Sequence, residues 1–434
     1  MRKGPVGKVT NHVTMNHIGR KEADMKILVI GRGGREHALA AALAASEQCT
    51  QLFCAPGNPG MARLGTIVPV GDSDVEAMTA FAVQEGIGLA VIGPESALAA
   101  GMADALTEAG IRVFGPTQAA AQVESSKDFA KRIMEKYHIP TAAYRTFDTV
   151  EAARAWVKEQ GAPIVIKEDG LKAGKGVTVA MDLDTALEAL DAAFAQEGGR
   201  VVIEEYLEGF EYSLIALVHE GLVVPLETAQ DHKRVGDGDT GPNTGGMGSY
   251  SPVRRITPEI LEETMKTVME PMAQALVQEG VPFTGFLYGG LMLTKDGIKV
   301  IEFNARFGDP EAEVILPRLK SDFVDAILSV MDGQPVQLQW TPKTCHGVVL
   351  ASEGYPAGST KGALIEIGDT DASIFHMGTR STDQGLKTDG GRVLMVVTLE
   401  DTLEQAFEHT YREAEKIGCD KLFYRTDIGR KDMA

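Results

Sequence analysis

The stretch Ile301-Glu302-Phe303-Asn304-Ala305-Arg306-Phe307-Gly308-Asp309-Pro310-Glu311 decides how the rest of the chain is read. It opens with β-branched and aromatic residues in period-two alternation, the pattern of a strand. Ile301, Phe303 and Ala305 are expected to face a core, which puts Glu302, Asn304 and Arg306 together on the other face. Successive side chains on one face lie roughly 6.5–7 Å apart. A carboxylate and an amide oxygen at that spacing can grip one hard cation, and Mg²⁺ takes oxygen ligands together with phosphates. Arg306 would then fork onto a carboxylate or phosphate. A solvated strand face with an ordinary Glu–Arg pair has the same sequence, so the choice rests on the flanking chain.

Upstream, Lys127 to His138 reads as a helix stopped by Pro140, followed by strand (144–147), helix (150–160) and strand (163–167). Glu168-Asp169-Gly170-Leu171-Lys172-Ala173-Gly174-Lys175-Gly176-Val177 then forms a glycine-rich hairpin tip. Its Gly174-Lys175-Gly176 is no Walker A motif, which needs Ser or Thr after the lysine and a helix beyond. Glycines between two strands suit a lid over a triphosphate, with Lys167 reaching the phosphates; an exposed basic hairpin is the plainer alternative. Val201-Val202-Ile203 runs into Glu204-Glu205-Tyr206-Leu207-Glu208-Gly209-Phe210-Glu211, either an acidic turn or a backbone edge for adenine with Glu211 on ribose hydroxyls. Asp231 to Tyr250 has almost no apolar content and reads as a structureless loop, which inside a domain is functional or disordered. A long helix from Thr257 to Gly280, with Thr257 as N-cap and Pro258 at N1, and strands at 283–293 and 298–303 complete this half.

The chain's first strand, 26–30, leads through Gly31-Arg32-Gly33-Gly34-Arg35-Glu36-His37 into an Ala-rich helix, 38–45. Strand, glycine loop and helix N-terminus make an anion site. The dinucleotide fingerprint fails, because Glu36 occupies the third glycine position and no acidic residue follows the second strand (51–55) to take a ribose. Alternation continues through 89–92 and 111–114, a parallel α/β unit ending near Ser126. From about Cys345 the pattern is α+β, with strands at 347–351 and 390–397 and a helix at 402–417. Residues 1–24 lack apolar periodicity and any signal-peptide core. Met25 is expected to be the natural start, since Arg20-Lys21-Glu22 can be encoded by AGG-AAG-GAG, which resembles a translated ribosome-binding site.

A length of 434 residues suits about three domains. A net charge of −19 argues against nucleic acid, and no apolar run approaches a membrane span. Cys49, Cys54, Cys345 and Cys419 form no CxxC pair and read as free thiols of a reducing, cytoplasmic protein.

The lysine-bearing glycine hairpin, the strand-to-hinge acidic segment and the strand ending Glu-x-Asn-x-Arg occur in an order that resembles the ATP-grasp superfamily. Within it, Gly33 to His37, Asp231-His232-Lys233-Arg234-Val235-Gly236-Asp237, Gly241-Pro242-Asn243-Thr244-Gly245-Gly246-Met247-Gly248 and Arg306 to Glu311 look like the glycinamide ribonucleotide synthetase family, from Met25 to about Gly429. The resemblance implies an N-terminal parallel α/β (pre-ATP-grasp) domain at 25–126, an ATP-grasp domain at 127–335 with a mobile lid near 145–213, and a small C-terminal α+β domain at 345–430. It also implies ligation of glycine to 5-phosphoribosylamine with ATP as co-substrate and Mg²⁺ or Mn²⁺ as metal, by a monomer or weak dimer. ATP contacts carried over are Lys127, Lys167, Gly174, Lys175, Gly176, Glu204, Glu205, Leu207 and Glu211, with Glu302 and Asn304 as metal ligands. Arg306, Asp231 and Lys233 would be catalytic. Gly33, Gly34, Arg35, Glu36, His37, Asn58, Glu95, Pro242, Asn243, Thr244, Gly245, Gly246 and Asp309 would line the glycine and phosphoribosylamine sites. Two departures stand out. Lys172 falls where the family is expected to have alanine, and Tyr288-Gly289-Gly290-Leu291-Met292 offers no second metal carboxylate.

Three other readings compete. Another carboxylate–amine ligase of the superfamily would accept a different acid or amine in an ADP-release assay. A nicotinamide-dependent dehydrogenase is disfavoured by the broken fingerprint. A non-catalytic nucleotide binder would bind ATP without releasing ADP, and Glu302, Asn304 and Lys167 argue against it.

Overall fold

Met25–Gly31 forms the middle strand of a five-stranded parallel sheet, ordered Thr66–Ile67, Cys49–Pro56, Met25–Gly31, Leu89–Ile92, Arg112–Phe114. A parallel strand covered on both faces needs a continuous apolar run, and Ile27 to Ile30 are all buried. The structure, a computed structural model, describes residues 25–172, 176–195 and 198–433. The expected leader, 1–24, and hairpin residues 173–175 lie outside the described residues. The helix expected from Ala38 starts earlier and spans Gly34–Ala44. Glu36 is the cause: its carboxylate accepts the Gly33 N–H at 2.6 Å and closes the first turn, so Gly34 to His37 are helix rather than loop.

A four-stranded antiparallel sheet follows, ordered Tyr144–Phe147, Val201–Glu205, Ile164–Glu168, Val177–Ala180, with helices Val150–Gln160 and Leu183–Ala193. Phe147, Val157, Ile166, Leu190 and Ile203 give it a core of its own. The next strand, Phe210–His219, pairs with Thr284–Thr294 in a different sheet. Residues 210–213, expected in the lid, therefore belong to the larger half.

That larger half has a sheet ordered Leu222–Pro225, Phe210–His219, Thr284–Thr294, Gly297–Asn304. The register shifts so that Gly290 faces Glu302 and Leu291 faces Val300, leaving Ile301 as an extra, bulged residue. The bulge breaks the alternation: Val300, Phe303 and Ala305 join the core, whereas Ile301 is half-buried outside it. The expected long helix is continuous, and Thr257 Oγ1 caps it by accepting from Ile260 N–H. It widens into a π turn at Met265–Met269. Pro271 lies just beyond, without an N–H and with a ring that crowds the carbonyl four residues back. The helix expected over 127–138 ends at Lys136, and His138 takes a positive φ of 57° two residues before Pro140.

Asp231 to Tyr250 is not structureless. Arg234–Gly236 and Thr240–Asn243 pair as a hairpin. Gln230–Asp231 and Gly248–Ser251 pair with each other, and the second joins Thr344–Ser352. The reason is burial: Met247, Ser249 and Tyr250 have no exposed surface, and buried backbone groups need partners. The sheet continues through Arg392–Glu400 to Ser373–His376, beyond the two C-terminal strands that the sequence pattern suggested. Thr379–Thr382, Gly385–Thr388 and Leu364–Ile367 form a further sheet with Ile417–Gly418. Among the described residues no helix is long and apolar enough to cross a membrane.

Phe286 joins the parallel sheet to the larger half. It is 1% exposed, meets Phe114 edge-on at 4.8 Å and lies against Phe307 at 5.0 Å and Phe323 at 6.2 Å. Phe286→Ala is expected to cost about 3–5 kcal/mol, read as a lower urea midpoint. An unchanged midpoint would show that the two sheets do not depend on this contact.

Candidate active site

Between the lid sheet and the larger half lies a cavity of about 310 Å³. Its floor is the Gly297–Asn304 strand, which presents Glu302 and Asn304. Directly opposite are Gly290 and Tyr288, so the partner strand adds no carboxylate, as its sequence indicated. The roof comes from the lid: Lys167 ends the Ile164–Glu168 strand, and its Nζ donates to Ile301 O at 2.7 Å and meets Glu204 Oε1 at 2.9 Å. Lys131 Nζ takes the other Glu204 oxygen at 2.9 Å. Burial pulls the Lys131 pKa down, against the pull of Glu204, to about 8. Lys127 Nζ donates to Gly170 O at 2.9 Å, and burial lowers its pKa more than Glu302 raises it.

Lys233 follows the short strand Gln230–Asp231 and reaches Glu211 Oε1 at 2.6 Å and Glu302 Oε1 at 3.7 Å. Burial works against its charge, yet Glu211 and Glu302 hold its pKa well above the usual lysine range. Burial would raise Glu302, and Lys233, Lys167, Lys127 and Arg306 together outweigh it, keeping the carboxylate ionised. Arg306 extends past the strand end, its Nη2 donating to Asn304 Oδ1 at 3.2 Å and pairing with Glu124 Oε1 at 3.0 Å, and its Nε lying 3.4 Å from Glu95 Oε2. Asp231 is different. Its buried Oδ1 has no hydrogen-bond partner among the described residues, and burial, then Glu311, pushes its pKa well above the carboxylate range. The lining carries slightly more cationic than acidic side chains, in a chain of net charge −19.

Asp309 and Arg392 close one end, paired at 2.9 Å, with Arg392 Nη1 also donating to Gly245 O at 2.6 Å. Both also line a second cavity of about 590 Å³ with Arg32, Gly33, Asn58 and Arg380. Asn58 pins that seam: its Nδ2 donates to Arg32 O at 2.9 Å and to His376 O at 2.8 Å.

The first cavity thus gathers Lys127, Lys167, Gly176, Glu204, Asp231, Lys233, Asn243, Thr244, Gly245, Glu302, Asn304, Arg306 and Asp309, together with Arg35 and Glu95. Glu211 enters through Lys233. Gly174 and Lys175 lie outside the described residues. Glu205 turns away, pairing with Lys299 at 2.8 Å, and Leu207 and exposed Pro242 are not on the wall. Glu36 is taken by Gly33 N–H and Arg35 Nε. Gly34 packs on Met377 and Glu313, and Gly246 on Pro310 and Asp231. His37 faces elsewhere, its Nδ1 accepting the His376 N–H at 2.9 Å. Lys172, the departure in the hairpin, lines the cavity and pairs with Glu168 at 2.7 Å.

Among the polar side chains of the lining, five escaped the sequence reading of the site: Glu124, Lys131, Tyr288, Glu311 and Arg392. Lys131 carried a signal, four residues after Lys127 on one helix face. Glu311 sat in the opening stretch, where Ser213 Oγ now donates to its Oε1 at 2.8 Å. Glu124 and Arg392 carried none.

A hard divalent cation fits this floor, since Glu302 and Asn304 offer an ionised carboxylate and an amide oxygen side by side on the cavity wall.

The sequence matches the phosphoribosylglycinamide synthetase N domain over residues 25–124, its ATP-grasp (A) domain over 125–312 and its C domain over 345–431. It is 50% identical over 418 residues to a phosphoribosylamine–glycine ligase of Halalkalibacterium halodurans, covering 94% of this chain and 98% of that one. It is 47% identical over 410 residues to a phosphoribosylamine–glycine ligase of Lactococcus lactis, covering 94% and 100%. Among solved structures, a phosphoribosylamine–glycine ligase of Thermotoga maritima superposes with a TM-score of 0.83 at 36% identity, covering 93% of this chain and 100% of that one. An N5-carboxyaminoimidazole synthase of Aspergillus clavatus, solved with ADP and an aminoimidazole ribonucleotide, shares the fold at a TM-score of 0.65 and 16% identity, covering 91% and 98%.

Glu95 provides a pH test of the site's electrostatics. Burial would raise its pKa, but Arg306 and then Arg35 bring it down to about 2. That lies below the ~4.3 of an unfolded chain, so Glu95 adds stability above about pH 4.5 that is lost as pH falls towards 2. Wild type should exceed Glu95→Gln by about 2 kcal/mol at pH 6 in urea titrations, after discounting for partial exposure. The gap should close between pH 4.5 and 2, and a constant gap would contradict the pairing.

Proposed function

The chain belongs to the phosphoribosylglycinamide synthetase family of ATP-grasp ligases, and from that premise we propose how its residues divide the work. The reaction joins glycine to 5-phosphoribosylamine, giving glycinamide ribonucleotide, ADP and phosphate, a step of purine biosynthesis. A glycine carboxylate is a poor electrophile towards an amine. Transfer of the γ-phosphoryl group of ATP to a carboxylate oxygen makes glycyl phosphate. The amine nitrogen then attacks its carbonyl carbon, phosphate leaves, and the nitrogen loses a proton.

The obstacle is repulsion between the carboxylate and the triphosphate. At ~4 Å, two unit charges repel by about 4 kcal/mol for an effective dielectric near 20. The observation that carries the reading is the convergence of Lys127, Lys167 and Lys233 on the Glu302–Asn304 pair beneath the hairpin strands. The lysines take the triphosphate, with Glu204 and Glu211 orienting Lys167 and Lys233. Glu302 and Asn304 hold Mg²⁺ or Mn²⁺, which supplies positive charge to the phosphoryl oxygens when bound. Arg306, held by Glu124 and Glu95, orients the glycine carboxylate. The unpartnered Asp231 oxygen accepts from the incoming amine. The second cavity, sharing Asp309 and Arg392 and adding Arg32 and Arg380, suits the phosphoribosyl end. Lid closure keeps water from the acyl phosphate.

In this reading 25–126 and 345–430 wall the sugar phosphate, and 127–335 performs the chemistry. The four cysteines, free in the structure, suit the cytoplasm.

Phosphate release should require glycine, 5-phosphoribosylamine and Mg²⁺ together; release with another amino acid in place of glycine would move the assignment to a sister ligase. Glu302→Gln should lower turnover about a hundredfold or more with an unchanged circular dichroism spectrum. Arg306→Ala should raise KM for glycine at least about tenfold and leave KM for ATP nearly unchanged. The reverse pattern would reassign Arg306 to the nucleotide.

A further inference from the structure

On the far side of the Asn58–His376 contact lies a third cavity, of about 460 Å³, which the reaction above does not use. It sits on the seam between the parallel-sheet unit and the C-terminal strands. One wall is the first turn of helix Gly34–Ala44, with His37, and the 3-10 turn Met61–Arg63. The other runs from Ile367 through Thr370 to His376.

Its polar groups share one character. His37 and His376 are both buried, with ring centroids 5.7 Å apart. Burial, then the neighbouring His376 and Arg63, lowers the His37 pKa to about 3, and burial lowers His376 to about 4, so both rings are neutral near pH 7. His37 Nδ1 accepts the His376 N–H at 2.9 Å, which leaves the ring proton on Nε2 and makes that nitrogen a donor. A Cβ at Gly60 would collide with the His37 ring, and Gly60 N–H is itself held by Asn58 Oδ1 at 2.9 Å, so the ring is fixed. The exposed Arg63 guanidinium has no hydrogen-bonded or ion-paired partner among the described residues.

No carboxylate lines this cavity, in a chain with 61 acidic and 42 basic residues. Of the acids beside its lining residues in the chain, Glu366, Asp369 and Asp371 are exposed and none lines the cavity. Glu413 accepts from Thr370 at 2.8 Å and from Lys416 at 2.7 Å, and Asp371 is turned to His409 at 3.0 Å. Leu64, Ile367 and Ile374 supply an apolar side. A fixed imidazole donor, an unpaired guanidinium and a wall without acids accept an oxyanion and repel nothing in it.

We propose that this seam cavity binds a tetrahedral oxyanion, free or as a monoester, between His37 Nε2 and the Arg63 guanidinium, separately from the reaction chamber. The site ties helix Gly34–Ala44 to the C-terminal strands. It stands apart from the ligase assignment: His37, which the resemblance put in the substrate site, lines this cavity and not the reaction chamber, and Arg63 has no role there.

The test uses the full chain. Crystals soaked in selenate should show an anomalous peak within hydrogen-bond distance of His37 Nε2 and Arg63 in wild type and none there in Arg63→Gln. In solution, sulfate should shift the His37 and His376 ring-nitrogen resonances saturably at constant pH, at least tenfold more weakly in Arg63→Gln. Phenyl phosphate binding more tightly than sulfate assigns a monoester, and equal binding assigns the free ion. Turnover of Arg63→Gln without added anion should stay within twofold of wild type. A peak that persists in Arg63→Gln, marking an adventitious ion only, overturns the proposal, as do histidine resonances that do not move or a large loss of turnover.

Discussion

A lysine taken out of water loses its charge unless a carboxylate accompanies it, and the whole cavity is arranged around that constraint. Lys131 and Lys167 share Glu204, one on each oxygen at 2.9 Å, and Lys233 is held by Glu211 at 2.6 Å. The balance differs from site to site. Burial still wins at Lys131, whose pKa falls to about 8, whereas the carboxylates win at Lys233. Positive charge can therefore be stored in a desolvated chamber, where it acts more strongly on a triphosphate than it would in water. Removing Lys131 or Lys167 would leave one buried Glu204 oxygen without its partner, so fold and charge storage are coupled there.

The backbone solves the matching problem of bringing distant residues to one chamber. Strand Gly248–Ser251 pairs with Thr344–Ser352, so the segment carrying Asp231 and Lys233 is stitched to the C-terminal sheet rather than hanging from the larger half. Arg392, in the next strand of that sheet, then reaches Gly245 and Asp309. The lid sheet differs in having its own small core, and it meets the floor strand through Lys167 on Ile301 O at 2.7 Å and through Glu205 on Lys299 at 2.8 Å.

Local patterns carried most of the fold and half of the site. Strands 89–92 and 144–147 and helix 150–160 match the observed bounds, because turn residues bracket them and their burial follows their own periodicity. Glu302, Asn304 and Lys167 were legible because each sits at a strand end beside a distinctive motif. Ile301 was misread because a bulge is set by pairing with Gly290 and Leu291, which one strand's alternation does not encode. Asp231 to Tyr250 was misread because its short hairpin lacks apolar alternation and its last strand, Gly248–Ser251, is anchored by a partner about a hundred residues away. Arg392 was invisible for the same reason. His37 lay in a legible motif, but the helix starts at Gly34 and turns it to the opposite side of the seam from Arg35.

Arg306 shows why the identity of a cation, and not only its charge, is dictated here. Its guanidinium reaches four acceptors in different directions: Asn304 Oδ1 at 3.2 Å, Glu124 Oε1 at 3.0 Å, Glu95 Oε2 at 3.4 Å and Phe307 O at 3.3 Å. Glu124 in turn accepts the Ala305 N–H at 2.7 Å, so the side chain and the backbone beneath it are fixed by one carboxylate. An ammonium has three donors on a flexible stem and no planar fork. A lysine at this position would keep the charge yet leave acceptors unmet, and would let the Asn304 amide rotate away from the floor. The neighbouring floor oxygens of Glu302 and Asn304, proposed above to hold the metal, therefore depend on a planar cation that is not itself a proposed ligand.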